Sequence, residues 1–398
     1  MKSIRDIYKI GKGPSSSHTM GPERAARILK AEYPEADRFR VILYGSLAAT
    51  GRGHGTDRVI EQTLAPVPTE ILWDTKRTDL PHPNTMELFA FAGGEQVGFL
   101  RVISIGGGDI RIEGRPEAEP PEVYPESSFA EIAAYCKNHR LRISDYVEAY
   151  EGRDIWDFLF QIWTTMTDSI RDGLTVTGTL PGGLNVERKA QMLYNQRHID
   201  EQPATRENRI VCAYAFAVSE QNASQGIIVT APTCGACATL PAVLKYMQEE
   251  KRLEDRQILR ALAVGGIIGN VVKTNASISG AECGCQAEIG TACSMAAGAL
   301  GELFEMGIDQ IEYAAEVALE HHLGLTCDPI DGLVQIPCIE RNAVAAMRAI
   351  NAVRIANFLT ATRKISFDMV VETMYNTGKD LNRIYRETAE GGLAKLYH

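Results

Sequence analysis

No block of basic residues occurs in these 398 residues, and the formal net charge is −10. That argues against nucleic acid as a partner, because phosphate binding relies on clustered Lys and Arg. Long hydrophobic runs are missing too. The longest apolar stretch, residues 261–272, falls far short of the ~20 residues that a membrane span needs. Asp6 and Lys9 break up the start of the chain before a signal-peptide core can form. Internal repeats and low-complexity tracts are absent, and Gly106, Gly107 and Gly108 lack the spacing of a dinucleotide fingerprint. A cytoplasmic protein is expected. Its nine cysteines should then be reduced thiols or metal ligands, not structural disulfides.

The chain changes texture partway along. Residues 1–112 carry short β-branched and aromatic runs broken by glycine, such as 40–44 and 97–105, which predict strands. Ahead of them, residues 22–31 have helical apolar spacing behind a proline. Residues 113–128 are rich in proline and glutamate and predict a linker. From residue 129 the period is helical throughout. Helices are expected over 129–139, 154–172, 207–221, 240–250, 258–271, 294–306, 308–321, 342–357 and 366–379. The expected fold class is therefore α+β: a small N-terminal α/β domain (1–112) followed by a larger all-α domain (129–398).

Polar loops carry the chemistry. Gly13-Pro-Ser-Ser-Ser-His-Thr-Met-Gly-Pro22 sets Ser15, Ser16, Ser17, His18 and Thr19 directly before a helix, where backbone N–H groups favour an anion such as a carboxylate. One hydroxyl would suffice for capping. A second loop, residues 45–57, holds His54 between two glycines. His82 lies in a third, between prolines. In the helical half, Cys285, Cys327 and Cys338 stand in polar loops beside glycine or proline, whereas core cysteine sits on apolar helix faces. Their spacing is too wide for a zinc ribbon and by itself leaves the metal open.

The Ser-Ser-Ser-His loop, with Cys285-Gln-Ala-Glu-Ile-Gly290, Leu325-Thr-Cys-Asp-Pro329 and Pro337-Cys-Ile-Glu-Arg-Asn342, resembles the iron–sulfur L-serine dehydratases. Leu180-Pro-Gly-Gly-Leu184, Thr230-Ala-Pro-Thr233, Ser277-Ile-Ser-Gly-Ala281 and Gly391-Gly-Leu-Ala394 match as well, so the resemblance spans residues 8–394. It implies an active site between the two domains and a [4Fe–4S] cluster on Cys285, Cys327 and Cys338. It further implies L-serine as substrate, a homodimer, and a place in amino-acid catabolism and gluconeogenesis. The two histidines of the family's chemistry map to His18 and His54, and a third maps to His82. On that basis His54 is expected as the base. His18 is expected to grip the substrate carboxylate with Ser15, Ser16, Ser17 and Thr19, and Asn275 and Ser277 to line the cluster side. The chain has no serine-rich lysine loop with a phosphate-cradling glycine tract, so pyridoxal phosphate is not expected. Related lyases acting on L-threonine or L-cysteine, a non-enzymatic amino-acid or redox sensor, and a zinc site are the rival readings.

Two residues depart from the family pattern. Cys234 replaces an asparagine in Ala-Pro-Thr-Asn-Gly, and the sequence closes on Leu396-Tyr-His398 where many members have a cysteine. The α/β domain is also short, with few residues between His54 and His82.

Overall fold

The computed structural model describes all residues except 78, 116–120, 198, 200, 360, 361 and 398. Seven strands form two sheets: β1 (Ile10–Lys12), β2 (Arg38–Tyr44), β3 (Thr69–Asp74), β4 (Thr85–Ala92), β5 (Glu95–Gly106), β6 (Asp109–Ile112) and β7 (Ile227–Val229). Strands β2 to β6 build a five-stranded sheet in the order β3-β2-β4-β5-β6, with β2 and β3 parallel and the other neighbours antiparallel. Alternation in Arg38–Tyr44 turns Phe39, Val41 and Leu43 into the core and leaves Arg38, Arg40 and Ile42 outside it. On that inner face lie α1 (Gly21–Glu32), α2 (Gly45–Thr50) and α3 (Thr56–Leu64), which contribute Leu29, Leu47, Ile60 and Leu64.

The remaining chain is helical: α4 (Phe129–His139), α5 (Ile143–Glu151), α6 (Ile155–Thr175), α7 (Ala190–Asn195), α8 (Pro203–Ala223), α9 (Thr239–Lys251), α10 (Asp255–Asn275), α11 (Gly280–Cys283), α12 (Thr291–Leu303), α13 (Ile308–Glu320), α14 (Cys338–Leu359), α15 (Phe367–Asp380) and α16 (Gly392–Leu396). Every residue of α12 is buried. A helix apolar on all sides belongs at the centre of a core, and α9, α10, α13 and α14 surround it. Close approach of α10 and α12 depends on Gly298, where an added Cβ would stand 2.9 Å from Ile268.

The α+β class stands as the sequence predicts. Residues 1–12, read as part of the small unit, behave differently. Met1, Ile4, Ile7 and Tyr8 are buried in the core of the helical unit, and β1 pairs with β7, register Ile10 to Val229. The expected linker is not wholly solvated either. Residues 116–120 lie outside the described residues, but Tyr124 is fully buried in the helical core and its hydroxyl donates to Glu151. Among the described residues, no helix is long and apolar enough to cross a membrane.

Candidate active site and metal centre

The loops singled out by sequence converge between the two units. Residues Ser16–Met20 form one π-helical turn ahead of α1, and Ser15 caps it by accepting from the His18 N–H at 3.1 Å. His54 lies in the turn between α2 and α3. Glycine is required on both sides of it. A Cβ on Gly53 would sit 2.8 Å from the Asp331 carbonyl oxygen, and one on Gly55 2.4 Å from Gln225 Nε2. Gly55 also has φ +63°. The Gly-His-Gly sequence thus lets the histidine loop press against the helical unit.

His18 and His54 are both fully buried, with ring centroids 4.4 Å apart. The Nδ1 of His54 lies 3.1 Å from the Thr50 carbonyl. A carbonyl only accepts, so Nδ1 carries the proton and Nε2 holds a bare lone pair. That Nε2 has no hydrogen-bond partner, and its nearest charged neighbour is Glu387 Oε1 at 3.9 Å. Burial pushes the His54 pKa well below the usual histidine value, helped by neighbouring His18. His18 differs in having both nitrogens engaged: Nε2 meets Ser46 Oγ at 3.1 Å, and Nδ1 faces Ser15 Oγ at 3.5 Å. Burial lowers its pKa to about 4. Both rings are therefore neutral at pH 7.

The three cysteines expected as ligands line one enclosed cavity, together with Ser15, Ser16, Glu288 and Glu387. Sulfur atoms of Cys285 and Cys327 and a Glu288 carboxylate oxygen all lie within 4.8 Å of one another. Cys285 directly precedes a π-helical turn that runs into α12, and Cys338 is the first residue of α14, so the positive ends of helices face thiolates. Burial alone would lower the pKa of the Arg341 guanidinium. The adjacent Cys285, Cys338 and Cys327 overcome this and raise its pKa. In the protein alone the thiols resist ionising: Cys327 because it hydrogen-bonds Cys285 and is buried, Cys338 chiefly because it is buried. A bound cation reverses that balance. Three buried thiols around one cavity, a compensating arginine and no fourth cysteine among the lining residues fit an iron–sulfur cluster with an open position.

Glu288 and Glu387 were not singled out by sequence. Glu288 accepts from Thr233 Oγ at 2.8 Å and stands 4.0 Å from Cys285 Sγ. It follows Cys285 by one helical turn inside a quoted motif, which was an available signal. Glu387 sits among Arg386, Thr388 and other polar residues, and nothing local marks it. Tertiary structure brings it in: its N–H donates to the Cys327 carbonyl at 2.8 Å. Asp328 completes the tie, accepting from Arg341, Thr326 and the Leu393 N–H.

Other expected site residues lie farther out. Ser17 and Thr19 are buried in the π-helical turn, and Thr19 Oγ donates to the His54 carbonyl at 2.9 Å. His82 Nδ1 accepts from the Asn84 N–H at 3.0 Å, while its Nε2 is 3.8 Å from Glu282 Oε1. Ser277 hydrogen-bonds the same Glu282 carboxylate, so these two form a polar chain of their own. Asn275 donates to the Ser127 and Val271 carbonyls and closes α10. Cys234 is fully buried, with its sulfur 3.4 Å from Met20 Sδ; its neighbour Gly235, not Cys234, lines the cavity.

With both units described, their relatives become legible. Residues 84–394 match the family model of the serine dehydratase alpha chain, and residues 3–67 that of the beta chain. The chain is 40% identical to L-serine dehydratase 2 of Escherichia coli, over 99% of this chain and 98% of that protein. It is 39% identical to an L-serine dehydratase of Streptomyces coelicolor, over 98% of each. The chain belongs to the serine dehydratase family, the one its motifs resemble, and joins counterparts of both family chains in one polypeptide. His82 falls in residues 68–83, which neither family model matches.

Proposed function

We propose that this chain is an L-serine dehydratase, which eliminates water from L-serine to give pyruvate and ammonia at a [4Fe–4S] cluster held by Cys285, Cys327 and Cys338. The observation that carries the reading is a single cavity that gathers three buried thiols and the SSS turn, with the free Nε2 of His54 facing Glu387 on its wall. When bound, the cluster supplies an iron with an open position that draws electrons from the serine hydroxyl as it leaves. His54 takes the α-proton on Nε2, for which its tautomer is already set by the Thr50 carbonyl. Ser15 and Ser16, with Ser17 and Thr19 behind them, hold the substrate carboxylate at the start of the turn. His18 supports that grip by holding Ser15 and Ser46. Enclosure keeps bulk water from competing for the proton. The C–O bond breaks as the C–H electron pair forms the double bond, the proton taken by His54 is returned to the leaving hydroxyl so that it departs as water, and the released aminoacrylate tautomerises and hydrolyses to pyruvate and ammonia.

This reading includes a cytoplasmic homodimer, with the thiols kept reduced. The experiment is anaerobic purification. Brown protein with about four irons per chain that forms pyruvate from L-serine faster than it acts on L-threonine or L-cysteine is the expected result. Full activity in colourless, metal-free protein would overturn it, and serine binding without pyruvate would favour a sensor.

A further inference from the structure

Glu387 has no part in the chemistry above, yet it is placed at some cost. Its backbone φ is +55°, a left-handed conformation that is unfavourable for a residue with a Cβ. Such strain persists only where the surroundings hold it, and it gathers at functional positions. The holding contacts are present: its N–H is bound to the Cys327 carbonyl, and its carbonyl oxygen accepts from Ser46 Oγ at 3.4 Å. Its carboxylate is buried in the cavity wall. Among the described residues, no hydrogen-bond donor reaches that carboxylate. The Nε2 of His54 stands 3.9 Å away, but it is a bare lone pair with no proton to offer. Glu288, the other acid on the cavity, is already bonded to Thr233. Buried carboxylates are otherwise paired, so Glu387 is an acceptor waiting for a cationic donor that the protein does not supply.

We infer that Glu387 binds the α-ammonium group of the substrate and makes the cavity selective for 2-amino acids over their deaminated analogues. This assignment rests on the L-serine reading above. The cavity then recognises a zwitterion at both ends: Ser15 and Ser16 provide hydroxyl donors for the carboxylate, and Glu387 provides the anion for the ammonium. A ligand without the amino group would leave the buried Glu387 carboxyl group without a partner, and a site built around a hydrogen bond rejects analogues that lack it.

Anaerobic, cluster-loaded protein tests this with two ligands of one skeleton, L-serine and 3-hydroxypropanoate, each followed by calorimetric titration and by KM or competitive inhibition. Glu387→Gln should weaken L-serine by roughly 30-fold or more and leave 3-hydroxypropanoate unchanged or tighter, with iron content equal to wild type. Glu387→Asp, which retracts the charge by one methylene, should weaken L-serine by a smaller factor and again spare 3-hydroxypropanoate. It decides the matter if the Gln variant does not fold. Parallel weakening of both ligands, or unchanged L-serine affinity, overturns the assignment while leaving serine dehydration intact. Wild-type protein that neither binds nor converts L-serine overturns the parent reading, and this assignment with it.

Discussion

The rings of His18 and His54 stand 4.4 Å apart, inclined by 37°, and each histidine has its carbonyl held by a threonine adjoining the other's loop. Thr19 Oγ donates to His54 O, and Thr56 Oγ donates to His18 O. The two loops are thus laced together before any ligand enters. His54→Ala should lower kcat by ~10²–10⁴, the usual share of a general base, with iron content and KM little changed. His18→Ala should instead loosen Ser15 and Ser46 and raise KM more than it lowers kcat. Steady-state kinetics on cluster-loaded protein separates the two, and the opposite pattern would exchange their roles.

Replacing a ligand should remove the cluster outright. Cys285→Ser, Cys327→Ser and Cys338→Ser should each yield colourless protein, because serine is a poor ligand for iron. Cys212→Ser, half-buried on α8, should keep its iron. Iron analysis of the four variants is the measurement, and normal iron in Cys327→Ser would show the triad to be wrongly chosen.

Gly392 offers a test of how the tail segment seats Glu387. Its φ is +58°, and an added Cβ would lie 2.2 Å from Asp328 Oδ2. Gly392→Ala should break the Leu393–Asp328 hydrogen bond, free residues 381–397 and cut kcat/KM at least tenfold. Limited proteolysis should then clip that segment while the rest of the chain resists. Unaltered proteolysis and kinetics would show that the segment does not depend on this contact.

Part of the acid sensitivity is carried by His322, which does not line the cavity. Burial lowers the pKa of His322 to about 4, and its Nδ1 donates to the Ala318 carbonyl at 2.7 Å. Because the folded value lies below the unfolded one, the unfolded chain binds the proton first as pH falls. Stability from this group is intact above about pH 6.5 and drains away between there and the folded pKa of about 4. Metal-free wild type should therefore lose ~1–3 kcal/mol relative to His322→Gln across that window, with no divergence above pH 7. Parallel denaturant curves at several pH values measure it.

Much of this was legible in advance. Helix α4 has the bounds its apolar period gives, because Ser128 and Glu131 form a capping box that fixes its start. The other eight expected helices each overlap an observed one. What escaped were short pieces whose existence depends on neighbours: α2 and α3, where residues 45–57 read as a loop, then α5, α7, α11, α16 and the three-residue β7, which holds by pairing with β1. A similar division runs through the site. Cys285, Cys327 and Cys338 stand in polar loops, but so do Cys234, Cys237 and Cys283; the family resemblance, not their company, picks out the three that share the cavity. Glu387 carries no such signal, since an acid between Arg386 and Thr388 reads as surface until the fold buries it. Asn275, expected to line the cluster side, donates to backbone carbonyls at the end of α10.

The burial of residues 1–8 in the helical core has a consequence for how the molecule comes into being. Tyr8 donates to the Leu262 carbonyl, and Asn270 to that of Lys2, so partners more than 250 residues apart must find each other. Synthesis exposes the early segment long before α10 exists, and the sheet unit is threaded between the two halves of that contact. Completion of the helical core is accordingly a late, non-local event, of the kind that slows folding and leaves apolar surface open in the meantime. A protein of this design gains from finishing its sheet unit first, since that compact insert shortens the effective loop across which the final closure must be made.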